Sequence, residues 1–188
     1  MPKNYAQVKK IEPTPSFRLH VVFLEACSPP KDMVQPVCCG TFKLKNGKTK
    51  VFPRADFSHQ IRAESIGKNK FAILPIKGQV WALYKNWENN LMCSDIVNCK
   101  YDIVEVLEDN DHSTKVSVLL PLNGFKSVYK APRRQRSSTG ILDIPRDELP
   151  RFSHQIPAVR HTGENDARLA DCWELDPASV PGILVCLD

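Results

Sequence analysis

The alternation of apolar and polar residues along the chain predicts strands and few helices. Asn46-Gly47 lies between two short alternating segments, which predicts a β-hairpin there. Helix signals are single turns, at 145–149 and at 176–179. We therefore expect a mostly β (β-rich α+β) fold with only short helices. The predicted strands cover residues 17–24, 81–84, 102–107 and 115–120.

Part of this pattern occurs twice. The motif Phe-Ser-His-Gln-Ile, with Phe57 and His59 in its first copy, recurs letter for letter with Phe152 and His154, at an offset of 95. The segments before it correspond at offsets of 96 and 97 (5–11 with 101–107, and 19–23 with 116–120). Such an ordered series indicates a diverged duplication. It predicts two small barrel-like halves packed into one module, with Phe57 and Phe152 in equivalent buried positions. The first pseudo-repeat would cover 1–75, and the second, with a C-terminal extension, 76–188.

The second half opens with a strand that has no counterpart in the first. Residues 78–84, Gly-Gln-Val-Trp-Ala-Leu-Tyr, stand before Tyr101, whereas the matching stretch of the first half would lie before Met1. We therefore expect this chain to start inside a larger protein and to lack its first Trp-Ala-x-Tyr strand.

Composition and charge narrow the class of protein. The chain is 42% hydrophobic and 25% charged, which is typical of a folded globular protein. It contains no apolar run of the roughly 20 residues that a membrane-spanning helix needs, and we expect no membrane contact. Seven cysteines, an odd number without any CxxC pair, favour reduced thiols over a disulfide framework or structural zinc. We expect neither a metal nor a cofactor.

Three aromatic residues, Trp81, Tyr84 and Trp87, lie within seven positions of one another. Aromatic residues at a strand–loop junction are one way to bind a methylated lysine, because ring faces attract a desolvated cation. Alternation along an ideal strand, however, puts Trp81 and Tyr84 on opposite faces. A core Trp beside a rim Tyr is the preferred interpretation, and an aromatic cage is the alternative.

Five cations without a compensating acid lie in a short stretch of the second half. A net charge of +5 and a pI of about 8.8 tolerate an anionic partner without requiring one. The stretch is a candidate nuclear import signal, a phosphate contact or a solvated loop. The loop predicted at 130–140, which contains most of it, lies at the same place in its half as a loop predicted at 26–36 in the first half. The five residues are Lys126, Lys130, Arg133, Arg134 and Arg136.

Each copy of the repeated motif places a serine directly before its histidine. Neighbouring residues of an extended chain point apart, so this order predicts no nucleophile–base pair. A histidine with one ring nitrogen bonded to the backbone explains the motif without chemistry. The chain also lacks the Gly-rich phosphate loop, the Gly-x-Ser-x-Gly elbow and the His-Glu-x-x-His motif. We expect no enzyme and no catalytic residue.

An ordered series of motifs resembles a known family. The motifs are Trp-Ala-Leu-Tyr at 81–84, Tyr-Asp-Ile-Val-Glu-Val-Leu at 101–107, Arg-Phe-Ser-His-Gln-Ile-Pro at 151–157 and Trp-Glu-Leu-Asp-Pro at 173–177. Together they resemble the C-terminal domain of unknown function in plant J-domain (DnaJ-type) proteins. Residues 1–6 are similar to the stretch that follows the family's first Trp-Ala-x-Tyr strand.

The resemblance implies a function without catalysis. It implies a protein-interaction module of a nuclear J-domain protein, recruiting a chromatin- or transcription-associated protein or peptide. The His-Pro-Asp tripeptide of a J-domain is absent, so we expect Hsp70 contact only through a J-domain that this sequence lacks. The alternative is direct binding of a modified histone tail or, more weakly, of nucleic acid, through the Trp81 region and the basic loop 126–136.

Overall fold

The fold consists of two antiparallel β units, Pro2–Leu74 and Pro75–Asp188. The computed structural model describes residues 4–27, 37–85, 87, 100–132, 140–164 and 166–180. These residues form fourteen strands and three short 3-10 helices, which confirms the predicted mostly β fold with two barrel-like halves.

The described part of the first unit contains six strands and one 3-10 helix, Arg54–Asp56. Its strand order is β1-β2-β3-β6-β5, with β4 paired to β2, and it forms a half-barrel. Alternation in β2 turns Leu19 and Val21 into the core, where Phe42 and Ile73 are also buried. The strands are β1 (Ala6–Glu12), β2 (Arg18–Ala26), β3 (Gly40–Leu44), β4 (Lys50–Pro53), β5 (Glu64–Gly67) and β6 (Lys70–Ile73).

The second unit, as far as it is described, contains eight strands in a nearly closed barrel, with the order β12-β7-β8-β9-β10-β14-β13 and β11 paired to β9. All five residues of β7 are buried, because β8 and β12 flank it and apolar side chains cover both its faces. The predicted turn after Pro145 is a 3-10 helix, Arg146–Arg151; another covers Ala167–Leu169. The strands are β7 (Val80–Tyr84), β8 (Tyr101–Asp109), β9 (Ser113–Pro121), β10 (Val128–Lys130), β11 (Ile141–Pro145), β12 (Phe152–Ile156), β13 (Ala158–Arg160) and β14 (Cys172–Leu175).

The strand orders of the two units correspond element by element. The path β1-β2-β3-β6-β5 of the first unit matches β8-β9-β10-β14-β13 of the second, and β4 pairs β2 as β11 pairs β9. The β1–β2 pair Val8↔Val21 also matches Val104↔Val118 at offsets of 96 and 97. The second unit adds β7 and β12 at one end of this path, and the described part of the first unit has no strand there.

The predicted hairpin at Asn46-Gly47 is wrong. Strands β3 and β4 do not pair with each other; they lie one after the other along the same edge of β2. Residues 45–49 leave this edge as a short loop, which begins with a bond from the Lys45 amide to the Phe23 carbonyl oxygen (2.8 Å). The nine residues of β2 offer an edge long enough for both partners. Residues 131–140 likewise stand between β10 and β11, so Arg133, Arg134 and Arg136 correspond in chain position to residues 45–49 and not to 26–36.

The two copies of the repeated motif have different structures. Residues 152–156 form β12, which pairs with β7, and Phe152 is fully buried. Residues 57–61 form no strand, and Phe57 is only half-buried, which differs from the equivalent burial expected of the pair. The two copies differ because β12 has a strand partner, β7, whereas no described strand takes the place of β7 beside residues 57–61. Across the described residues, no helix combines the length and apolar character needed to cross a membrane.

Candidate functional site

Trp81 lies in the core of the second unit. Its side chain is almost fully buried and packs edge-to-face on Phe152, with ring centroids 5.8 Å apart. Its indole N–H donates to Gln79 Oε1 (3.0 Å), which satisfies the one polar atom of the ring. A ligand has no access to a ring buried in this way.

Tyr84 and Trp87 lie apart from Trp81. The pleat of β7 turns Tyr84 to the opposite face, into the cluster that also contains Val80, Ala82 and Tyr101. Tyr84 stacks on the half-buried Trp87 with ring centroids 5.9 Å apart. The three candidate aromatic residues therefore do not surround a common space.

The basic candidates divide into three groups. Lys126 is exposed. Lys130 is half-buried, and its Nζ donates to the Ala170 carbonyl oxygen (2.7 Å), so it joins β10 to the turn before β14. Arg133, Arg134 and Arg136 lie outside the described residues.

Ser153 and His154 contact each other, contrary to the expectation that neighbouring side chains point apart. Ser153 Oγ lies 3.0 Å from His154 Nδ1, because a register shift between Phe152 and His154 in the β12–β7 pairing turns both side chains inward. The His154 Nε2 lies 2.8 Å from the Ser179 carbonyl oxygen. A carbonyl only accepts, so Nε2 carries the proton, and in the neutral ring Nδ1 accepts from Ser153. Both side chains are buried, and the pair joins β12 to the turn at Ser179.

The equivalent segment of the first unit is more open. Phe57, His59 and Ile61 are half-buried, and the residues between them are exposed. The Arg54 guanidinium donates to the carbonyl oxygen of Phe57 (2.6 Å) and, at 3.4 Å, to that of Ser58. The Arg54 side chain therefore bonds to backbone carbonyls of this segment, whereas in the second unit the backbone of the equivalent β12 bonds to β7.

The outer edge of β1 is open as well. Within the described residues β1 pairs with β2 alone, whereas its counterpart β8 pairs with both β7 and β9. Val8 is 46% exposed, while Val104 at the corresponding position is 0% exposed. This is the edge at which the sequence analysis expects the missing Trp-Ala-x-Tyr strand of the first half.

A cavity of about 530 Å³ in the first unit was also missed from the sequence. It is large enough for a small organic ligand. Three aromatic residues, Tyr5, Phe23 and Phe42, line it together with three lysines, Lys45, Lys48 and Lys50. Lys45 and Lys48 belong to the loop 45–49, and Lys50 directly follows it. This loop leaves the edge of β2 between the two strands that pair there, β3 and β4.

The sequence profile of a domain-of-unknown-function family, DUF3444, matches residues 1–165. The chain belongs to this family. No curated protein and no solved structure matches the chain.

The folded unit of this DUF3444 domain extends beyond the matched region. Strand β14, Cys172–Leu175, follows the last matched residue but pairs with both β10 and β13. Trp173 in this strand donates its indole N–H to Glu105 Oε2 on β8 (3.1 Å). A fragment ending at residue 165 would therefore lack a strand of the second barrel.

The described cysteines of the DUF3444 domain are Cys27, Cys38, Cys39 and Cys172; all four are thiols, and the last three are buried. Burial raises the pKa of the Cys38 thiol to about 12. Burial, with Cys38 beside it, also raises the pKa of Cys39. The described residues contain no group of three or more His, Cys, Asp or Glu side chains suited to a metal.

These burials predict a selective pattern of alkylation. A raised pKa lowers the thiolate fraction, and the thiolate is the reactive form, so Cys38 and Cys39 should resist iodoacetamide at pH 8 in the folded protein. The half-buried Cys27 should react first among the described thiols. Under denaturing conditions all seven cysteines should be labelled. Mass spectrometry of peptides from both reactions measures this, and a cysteine that stays unlabelled after denaturation would contradict it.

Proposed function

We propose that this DUF3444 domain is a non-catalytic protein-interaction module. The observation that carries the proposal is the exposure of large apolar side chains on the first unit, five of which are between 44% and 55% exposed. Contiguous exposed apolar surface is typical of sites that bind another protein, and strand pairing puts two of the five side chains, Val8 and Ile11, on the same face of β1. The five residues are Val8, Ile11, Phe17, Val51 and Ile66.

The repeated serine–histidine motif supports a role without catalysis. Ser153 and His154 are buried, and both nitrogens of the imidazole have partners, Ser153 and a backbone carbonyl. A nucleophile and its base need access to a substrate, which this pair lacks. The pair is therefore best explained as a structural contact.

The setting we propose is a nuclear J-domain protein that recruits chromatin- or transcription-associated partners through this domain. The support is the ordered motif series, from Trp-Ala-Leu-Tyr at 81–84 to Trp-Glu-Leu-Asp-Pro at 173–177, which resembles the C-terminal domain of such proteins. Contact with Hsp70 would come from the J-domain and not from the β units described here.

The test is capture of partners from nuclear extract by the immobilised 188-residue protein. Replacing Ile11 and Phe17 by Lys puts charge on two exposed apolar positions of the first unit and should abolish capture. The matched control is Val159→Lys, because Val159 is 66% exposed on β13 of the second unit. Capture that survives the double change would contradict the proposal, and so would its loss in the Val159→Lys control.

Direct binding of nucleic acid is the second candidate function. The observation in its favour is the set of three lysines beside the cavity, Lys45, Lys48 and Lys50. The loop 45–49 contains Lys45 and Lys48 and stands between β3 and β4 as residues 131–140 stand between β10 and β11. Because the Trp81 ring is buried, this second function would use the basic residues and not the ring to contact its ligand.

A salt titration separates the two candidates. Each phosphate neutralised by a lysine or arginine adds close to one unit to the negative slope of log affinity against log salt concentration. Nucleic-acid binding by the basic loops should therefore weaken steeply with salt. Capture of a protein partner on the apolar surface should change little over the same range.

A further inference from the structure

We propose that the first unit binds the phosphate backbone of double-stranded nucleic acid through six exposed lysines. The inference rests on the second candidate function above, and it names the surface and the class of nucleic acid for it. We call these six residues the lysine surface. They are Lys43, Lys45, Lys48, Lys50, Lys68 and Lys70.

Charge is divided unequally between the two units. The first unit, Pro2–Leu74, contains thirteen lysines and arginines against five aspartates and glutamates, which gives it a net charge of +8. The second unit, Pro75–Asp188, contains thirteen against sixteen and has a net charge of −3. A concentration of positive charge in one unit is the electrostatic signature of a nucleic-acid contact. The first unit is therefore the part of the chain that attracts a polyanion.

Strand pairing brings lysines from separate segments together at the end of β3. Lys43 on β3 stands directly opposite Lys70 on β6. The Leu44 amide donates to the Asn69 carbonyl oxygen (3.0 Å), so the turn that contains Lys68 lies against the end of β3. The β5–β6 turn and the end of β3 therefore present their lysines side by side.

The loop 45–49 continues the lysine surface from this point. It begins where the Lys45 amide donates to the Phe23 carbonyl oxygen (2.8 Å). It ends where Lys50 pairs with Val21, so both ends of the loop lie along a short stretch of β2. Lys48 lies between these two ends. The loop thus adds its lysines to those of β3 and of the β5–β6 turn.

The positive charge of the lysine surface is mostly uncompensated. Glu25 Oε1 contacts Lys43 Nζ (3.3 Å), and no acidic side chain of the described residues bonds to any of the other five lysines. Like charges directly opposite each other on paired strands destabilise a sheet, as Lys43 and Lys70 do here. An anion bound across this pair removes the repulsion.

The aromatic rings beside the lysine surface are not available for stacking on bases. Phe42 is buried, and Tyr5 packs edge-to-face on it with ring centroids 5.3 Å apart. Lys50 Nζ lies over the Phe23 ring, 5.9 Å from its centroid. Proteins that bind single strands stack the bases on exposed aromatic side chains. A duplex needs no such stacking and carries more charge per unit length, so it is the better ligand.

The cations of this surface are all lysines. A lysine ammonium acts on a phosphate as a point charge, whereas the planar fork of arginine suits a carboxylate or the edge of a guanine. The surface therefore favours backbone phosphates over an acidic protein segment, and it provides no means of reading a base sequence. We commit to duplex binding that is independent of sequence.

The probe for the test is a duplex DNA of about 20 base pairs, labelled for fluorescence anisotropy and titrated with the 188-residue protein at about 100 mM salt. An unlabelled single strand of the same length should compete at least about tenfold less well than the duplex, and a polyglutamate peptide should not compete. A duplex RNA is titrated in parallel, and binding of either duplex supports the proposal. A single strand or a polyglutamate peptide that competes as well as the duplex would overturn it.

A charge-matched pair of variants locates the site. The surface variant changes four members of the lysine surface, and the control variant changes four exposed lysines elsewhere, so both lose the same charge. The surface variant should bind the duplex about a hundredfold more weakly, with a salt slope less negative by about 0.9 for each lost phosphate contact, and the control should lose less than about tenfold. Equal losses would show that binding follows net charge alone and would reject the surface. The surface variant combines Lys45→Gln, Lys48→Gln, Lys68→Gln and Lys70→Gln; the control combines Lys9→Gln, Lys77→Gln, Lys100→Gln and Lys126→Gln.

Circular dichroism checks that both variants fold. Every changed side chain is exposed, and Lys70→Gln also removes one of two opposed charges, so we expect native spectra. Should the surface variant not fold, the single changes Lys48→Gln and Lys126→Gln take the place of the two sets. The first should weaken duplex binding about fivefold to tenfold and the second should leave it unchanged. Equal binding by these two proteins would reject the lysine surface.

The outcomes separate this site from the functions proposed above. Duplex binding that is the same in the surface variant and the unchanged protein leaves nucleic-acid binding in place and rejects its site, whereas no binding of either duplex rejects both. Capture of proteins from nuclease-treated nuclear extract tests the interaction function independently. The surface variant should still capture them, because its exposed apolar residues are unchanged. Loss of capture would show that the lysines contact a protein partner and would overturn the proposal.

Discussion

Replacing Trp81 by Ala is expected to lower the free energy of unfolding of the second unit by about 3–5 kcal/mol. The ring is almost fully buried, packs on Phe152, and bonds to Gln79 through its indole N–H. Its removal leaves a cavity between β7 and β12 in addition to the lost burial. Urea denaturation followed by circular dichroism measures the change, with an unaltered m-value as the sign that the unfolding reaction is the same.

The matched control for Trp81→Ala is Val159→Ala. Val159 is 66% exposed, so its truncation should stay within about ±0.5 kcal/mol. The two units are analysed as separate transitions if the curve shows two. A Trp81→Ala protein with wild-type stability and no partner binding would make the ring a contact residue and refute its place in the core.

Replacing His154 by Leu is expected to destabilise the second unit by about 2–4 kcal/mol. The change leaves the Ser153 hydroxyl and the Ser179 carbonyl, both now bonded to the imidazole, without their partner. Each buried polar group left unsatisfied costs about 1–3 kcal/mol. The same urea experiment measures the loss.

The duplication supplies an internal control for His154→Leu. His59 is the same residue of the same motif in the first unit, but it is half-buried in a segment that forms no strand. We expect His59→Leu to cost less than half as much. Equal losses at the two positions would show that the histidine acts through the motif itself and not through its burial beneath Ser179.

The local patterns predicted the strands of highest apolar content. Alternation located β2, β8 and β9, and the buried run at 81–84 located β7. The single turn after Pro145 is also present, because proline fixes a backbone angle suited to a helix start. These elements are specified by neighbouring residues, which sequence patterns report directly.

Pairing between distant residues explains the failures. Asn46-Gly47 has the composition of a hairpin turn, but β3 and β4 each find a better partner in β2. The serine–histidine contact depends on a register shift between β12 and β7, which no local pattern reveals. Residues 57–61 have the same letters as β12 and form no strand, since strand formation here needs the neighbour that β7 provides.

The candidate site was only partly predictable from the sequence. The opposite faces of Trp81 and Tyr84 followed from the period of a strand, and both rings are buried in the described structure. The open edge of β1 could be recognised only from the strand order, because the exposure of Val8 depends on which strands pair with β1 and not on the sequence of β1. The cavity with its three lysines depends on the excursion 45–49 and was therefore missed as well.

Two connections between strands differ in length between the two units: one is longer in the first unit, and the other is longer in the second. Residues 27–39 join β2 to β3, whereas the shorter 122–127 join β9 to β10. Residues 45–49 join β3 to β4, whereas the longer 131–140 join β10 to β11. The changes compensate, which keeps the repeated motifs at a nearly constant offset. The strands on either side of these loops therefore tolerate changes in loop length, and Gly47 is a suitable position for inserting an epitope tag or a fluorescent reporter domain without altering the sheet.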